Sequence, residues 1–145
     1  MQQMRDQKGR PPGPPRGQQP AQQQDMRRDI DAALSGNAAK VIEVGQRLGK
    51  ELGEKRLAIS QIRGILDEIQ RLGKGDAARP KAEHDLQMLR AKLAFAAGRH
   101  GEAVKLLQRH LDPALQRAAR EPACLPRLKD LVEAIVAYHR YYGGK

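Results

Sequence analysis

Few residues in this chain have the type and spacing to do bond-making chemistry. His84, His100, His110 and His139 repeat no known metal-pair spacing, and His100 and His110 are too far apart for neighbouring turns of one helix. Ser35 and Ser60 are the two serines and threonine is absent. A serine–histidine mechanism would have to draw on a residue that already reads as turn or cap. Glu83-His84-Asp85 reads as a solvated face near a helix start. Asp67 and Glu68 are sequence neighbours that point to different sides of a helix, a poor arrangement for paired acid–base work. Neither a Gly-x-Gly-x-x-Gly run nor a P-loop pattern occurs. Cys124 is the single cysteine, which excludes an internal disulfide and a cysteine-built zinc site. The expectation is a protein without catalytic residues, metal or cofactor.

What the chain does offer is positive charge. Its 145 residues carry 27 lysines and arginines against 17 acids, a net charge of +10 and a pI near 10.2. Such a field attracts polyanions, nucleic acid first and an anionic membrane second. No run approaches the roughly eighteen apolar residues of a spanning helix. The segment Met1–Lys8 has no apolar core of a secretory signal, so a cytoplasmic protein is expected. Arg47, Lys50 and Arg56 sit on and just after one predicted helix, with Arg63 soon following. Arg90, Lys92 and Arg99 sit on another, and Arg140 lies near the end. Phe95, Tyr138, Tyr141 and Tyr142 make up the whole aromatic supply. Phe95 falls beside an apolar stripe and reads as core. With stacking platforms this scarce, the charge suits neutralising phosphates or supporting a duplex by its shape.

The elements that must position these cations follow from periodicity. Residues 1–24 are rich in proline, glycine and glutamine and predict a disordered basic tail. From Asp25 onward no period-two alternation appears, and residues 25–145 predict one all-α domain, a compact bundle of five to six helices. Helices are expected over 25–34 and about 38–54, with Val41, Val44, Leu48 and Leu52 facing inward. A third is expected from Ser60 as N-cap, with Ile62, Ile65, Leu66, Ile69 and Leu72 inward. Gly73–Pro80 reads as a loop. A fourth helix then carries Leu86, Leu89 and Leu93. A fifth carries Val104, Leu107, Leu111 and Leu115, with Pro113 expected to kink or split it. Pro122 and Pro126 bracket a break before a final helix that places Ile135, His139 and Tyr142 inward and ends at Gly143-Gly144. Gly45, Gly49 and Gly53 recur every fourth position, each costing about 1 kcal/mol against alanine inside a helix. That stripe predicts the close passage of another backbone: a neighbouring helix first, or else a second subunit or nucleic acid.

Four blocks, in order, carry a resemblance. They are Lys40–Leu52 with its Gly49-Lys50-Glu51-Leu52 ending, Ile59–Leu66 with Ser60-Gln61-Ile62-Arg63, Leu89–His100, and the terminal Ala137–Lys145. Together they resemble the small subunit of type III-A (Csm) CRISPR effector complexes over residues 38–145. Phe95 stands where that family often has tyrosine, and residues 1–24 inherit nothing from it. The resemblance implies a noncatalytic helical bundle that stacks head to tail with copies of itself beside the backbone subunits. It implies a lining for the channel that holds guide RNA and target RNA, with the large polymerase-like subunit and the backbone subunits as partners. Lys50, Arg63, Lys92 and Arg99 occupy the family's motif positions and are its implied RNA contacts. Arg47, Arg56, Arg90 and Arg140 join them by charge and position. Arg63 has an alternative as an ion-pair partner of Glu54 or Asp67. The tyrosines and His139 are expected to brace the last helix. The related readings are the small subunit of a type III-B complex, or a stand-alone helical adaptor for an acidic partner.

Overall fold

A computed structural model describes residues 25–72 and 78–145; the tail expected at 1–24 and most of the loop expected at Gly73–Pro80 lie outside them. Six α-helices and no strand occur among the described residues. They are α1 (residues 25–34), α2 (Ala38–Glu54), α3 (Arg63–Arg71), α4 (Ala78–His100), α5 (Glu102–Arg120) and α6 (Leu125–Tyr141). Two 3-10 turns, Ile59–Gln61 and Pro122–Cys124, precede α3 and α6.

The bundle is organised by two closely packed helix pairs. In the first, α2 and α6 run parallel, because Gly45 lies against Ala134 and Gly49 against Ile135, Tyr138 and His139. The absent side chains explain the approach. A Cβ at Gly45 would sit 2.8 Å from Ala134 Cβ, and one at Gly49 would sit 2.8 Å from the His139 backbone nitrogen and 3.0 Å from the Ile135 oxygen. Of the backbones the stripe could admit, it admits a neighbouring helix. Val41, Val44, Leu48 and Leu52 are buried on the same side of α2 and add their apolar area to the contact, each worth about 1.5–3 kcal/mol when fully buried. The second pair, α4 and α5, is an antiparallel hairpin joined by Gly101. Arg90 clamps Asp112 across it, with Nε to Oδ1 at 2.9 Å and Nη2 to Oδ2 at 3.2 Å. Leu86, Leu89, Leu93, Ala96 and Ala97 of α4 face Val104, Leu107, Leu111 and Leu115 of α5 in the common core.

Helix ends are satisfied locally. Asn37 caps α2, its side chain accepting from the Lys40 amide at 3.2 Å. α1, α2 and α6 each close by a paired Schellman pattern, which needs a left-handed residue just past the helix. In α6 the Gly144 amide donates to His139 O at 2.8 Å and the Gly143 amide to Arg140 O at 3.0 Å, with Gly143 at φ +94°. The same bonds run Asn37 to Ala32 and Gly36 to Ala33 in α1, and Leu57 to Leu52 and Arg56 to Gly53 in α2. The left-handed residue closing α2 is Arg56, at φ +65°. α1 docks through Asp29, which meets Lys40 at 3.2 Å and Arg47 at 3.1 Å, and through Arg117, which donates to Asp31 O at 2.9 Å and Ser35 Oγ at 2.8 Å.

His139 is fully buried and joins the first pair to the following turn, its Nε2 lying 2.8 Å from Leu57 O. A carbonyl only accepts, so Nε2 carries the hydrogen. Nδ1 finds no hydrogen-bond partner among the described residues. Cys124 is buried, and that burial pushes its thiol up from the usual range.

Several sequence expectations need correction. Ser60 sits exposed inside the 3-10 turn and is not an N-cap; α3 begins at Arg63 without a side-chain cap. Pro113 does not split α5, which continues to Arg120 with Leu111, Ala114 and Leu115 buried around the proline. Pro80 lies in the first turn of α4, where its missing N–H is no loss. Tyr142 is 42% exposed, because α6 ends at Tyr141 and helical spacing no longer governs the residue where the chain turns away.

Two expected outcomes follow from this packing. Gly49→Ala should cost about 2 kcal/mol or more, since rigid backbone blocks the methyl. Gly53→Ala, whose Cβ would meet only His139 Cδ2 at 4.0 Å, should be neutral or gain up to about 1 kcal/mol; denaturant unfolding of both variants checks the pair. Burial, reinforced by Arg109 and Arg47, lowers the pKa of His110 from 6.5 to about 4. The unfolded chain therefore takes this proton first as pH falls. Stability should drop between about pH 6.5 and 4 by a component that the His110→Leu variant lacks, measured as the difference between their unfolding curves.

Candidate nucleic-acid interface

The eight predicted cations divide by what their head groups already do. Arg90 is spent on Asp112 and Gln87, holding the α4–α5 hairpin together. Arg47 is spent on Asp29, anchoring α1. Lys92 bonds Glu68 at 2.8 and 3.1 Å, tying α4 to α3, yet its side chain stays half exposed. Lys50 places its ammonium 5.9 Å from the centre of the Tyr142 ring, in cation–π range. Arg56, Arg63, Arg99 and Arg140 are exposed and make no ion pair among the described residues. The proposed pairing of Arg63 with Glu54 or Asp67 does not form.

Two of the unpaired arginines are placed where stability gains nothing from them. Arg63 is the first residue of α3, at the positive end of the helix dipole, where a cation is unfavourable. Arg56 holds a left-handed conformation that glycine takes without strain and that costs an L-residue about 1–2 kcal/mol. Local folding gives no reason for arginine at either position.

Arg99 and Lys92 line an open groove of about 520 Å³ between the start of α3 and the C-terminal half of α4. Gln61, Ile62, Gly64 and Ile65 form one wall, and Ala91, Phe95, Ala96 and His100 complete the other. Arg63 stands between Ile62 and Gly64 in the chain, and the segment from Arg56 to Arg63 leads into this wall. Phe95 is 70% exposed here, not core. It lies off the inward stripe Leu86, Leu89, Leu93, Ala96. The signal that finds it is a second apolar stripe, Met88, Ala91, Phe95 and Gly98, at heptad spacing on the exposed side of α4. Tyr141 is also exposed, at 76%, packing edge-on against Tyr138 and Tyr142. Of the residues expected to brace the last helix, His139 does so from full burial, while Tyr141 and Tyr142 are largely at the surface.

Among the described residues no group of three or more histidine, cysteine, aspartate or glutamate side chains is placed to hold a metal ion, and no helix is long and apolar enough to cross a membrane. The structure is thus an all-α bundle in which Lys92 and Arg99 line an open groove. A family model described as Csm2 Type III-A matches residues 35–145. The chain belongs to that family, the small subunit of type III-A Csm complexes. The match is to the type III-A description, so the type III-B alternative falls away. No curated protein and no solved structure matches the chain.

Replacing Arg56 by glycine tests the sequence-based expectation that this arginine serves RNA contact and not the fold. Stability should hold or rise by up to about 1 kcal/mol, read by thermal unfolding. RNA affinity should fall, read by fluorescence anisotropy on the same preparation.

Proposed function

We propose that this chain is a noncatalytic small subunit that stacks head to tail with copies of itself and supports the guide–target RNA duplex of a type III-A ribonucleoprotein. It contacts phosphates through basic residues, in antiviral defence in the cytoplasm. The observation that carries this reading is Arg99 lining the groove with no ion pair among the described residues, with Arg63 likewise unpaired between the groove residues Ile62 and Gly64 in the chain, in a member of the Csm2 family. Contacts of this kind neutralise phosphate and release counterions without reading sequence. Arg56 and Arg140 add to the phosphate-contacting set, Lys50 and Lys92 contribute while also bracing the fold, and Arg47 and Arg90 serve the bundle.

Duplex RNA should therefore bind with strong salt dependence and little sequence preference. Changing Arg63 and Arg99 to alanine together should weaken binding and flatten the plot of log affinity against log salt by about one unit per lost contact, with thermal stability unchanged. An unaltered slope removes both residues from the interface. Arg90→Ala should show the reverse, lower thermal stability with a preserved slope. Labelled RNA incubated with the pure protein and a divalent metal should stay intact.

A further inference from the structure

The groove beside Phe95 holds more than the cations that the proposed function uses. Phe95 is a fully apolar ring left 70% exposed, and Lys92 and Arg99 stand one helical turn before and after it on the same face of α4. Ile62, Ile65 and Ala96 supply an apolar floor; among the described residues no carboxylate lines the groove itself, and Glu68 pairs with the Lys92 ammonium from outside that lining. At Gly64 even a Cβ would meet nothing within 4 Å, so the opposite wall leaves the ring face accessible. The volume of about 520 Å³ lies in the range that holds a small organic ring system with its substituents.

We infer that this groove seats an unpaired nucleobase of RNA, stacked on Phe95, with Lys92 and Arg99 holding the phosphates on either side of it. The inference rests on the reading that the chain binds RNA and specifies which part of the RNA meets this groove. A paired base hides both faces between its neighbours in the helix, so an aromatic ring stacks only on a base that is unpaired or at a strand end. An acidic peptide would satisfy the two cations but leave the ring unused. An apolar side chain would cover the ring but leave the Arg99 guanidinium, which has no ion pair among the described residues, with nothing to neutralise; Lys92 is already paired with Glu68. A nucleotide satisfies ring and cations together. Stacking of this type tolerates any base, since each has a π-face, and phenylalanine serves it as well as tyrosine does.

The test uses the full chain, a short oligouridine and a hairpin-closed RNA duplex, each read by anisotropy at low salt. Phe95→Leu keeps the apolar bulk and removes the π-face. It should weaken oligouridine binding about tenfold and leave duplex binding unchanged. Phe95→Tyr should retain both affinities, and Arg99→Ala should weaken both. Because the ring is exposed, all three variants should unfold at the wild-type temperature, which the same samples verify. Leucine binding oligouridine as the wild type does, or losing both RNAs equally, overturns the stacking assignment while leaving RNA binding intact. Wild-type protein that binds neither RNA overturns the assignment and the proposed function together.

Discussion

The parallel crossing of α2 and α6 at Gly45 and Gly49 sets the geometry of everything else in the bundle. With no side chain between them, the two backbones come into direct contact, and small shifts there are resisted by atoms that cannot change rotamer. That contact places His139 beneath the turn after α2, where its ring bonds Leu57 O. The anchored turn then fixes where the Ile59–Gln61 segment and α3 begin, and so where one wall of the groove stands. The basic groove is positioned by a glycine stripe on a different helix.

A net charge of +10 says little about which cations are available. Arg47 and Arg90 are engaged by carboxylates that hold helices together, and Lys92 pairs with Glu68 while staying half exposed. Arg63 and Arg56, by contrast, sit where local folding gains nothing from a cation. A cation at the positive end of α3 and an arginine in a left-handed turn both run against intrinsic preference. Departures of this kind concentrate where a surface serves something other than its own stability.

Much of this was legible from periodicity. The bounds of α1 and α2, the inward stripes and the reason for the glycine spacing all follow from helical geometry, and the glycine cost on one stripe already required a close backbone. Reading failed where a residue's environment depends on which helix lies across from it. Phe95 adjoins the inward stripe of α4, and only the placement of α3 decides that it borders an open groove. Tyr142 fell one residue beyond the helix, where the 3.6-residue rule lapses. Ser60 has the chemistry of a cap but sits in a 3-10 turn, an alternative that composition does not distinguish. The division of cations into paired and unpaired depends on partners far along the chain, such as Asp112 for Arg90. No single-sequence pattern carries that information.

The bond from His139 to Leu57 spans 82 residues, and this has a consequence for how the protein comes off the ribosome. The hairpin of α4 and α5 is built from local contacts and can fold as soon as it emerges. The glycine face of α2, made earlier, has no partner until α6 arrives at the far end. During synthesis the glycine face of α2 waits uncovered, because α6 follows all the other described helices in the chain. That interval is when the nascent chain is most open to capture by chaperones or by another copy of itself.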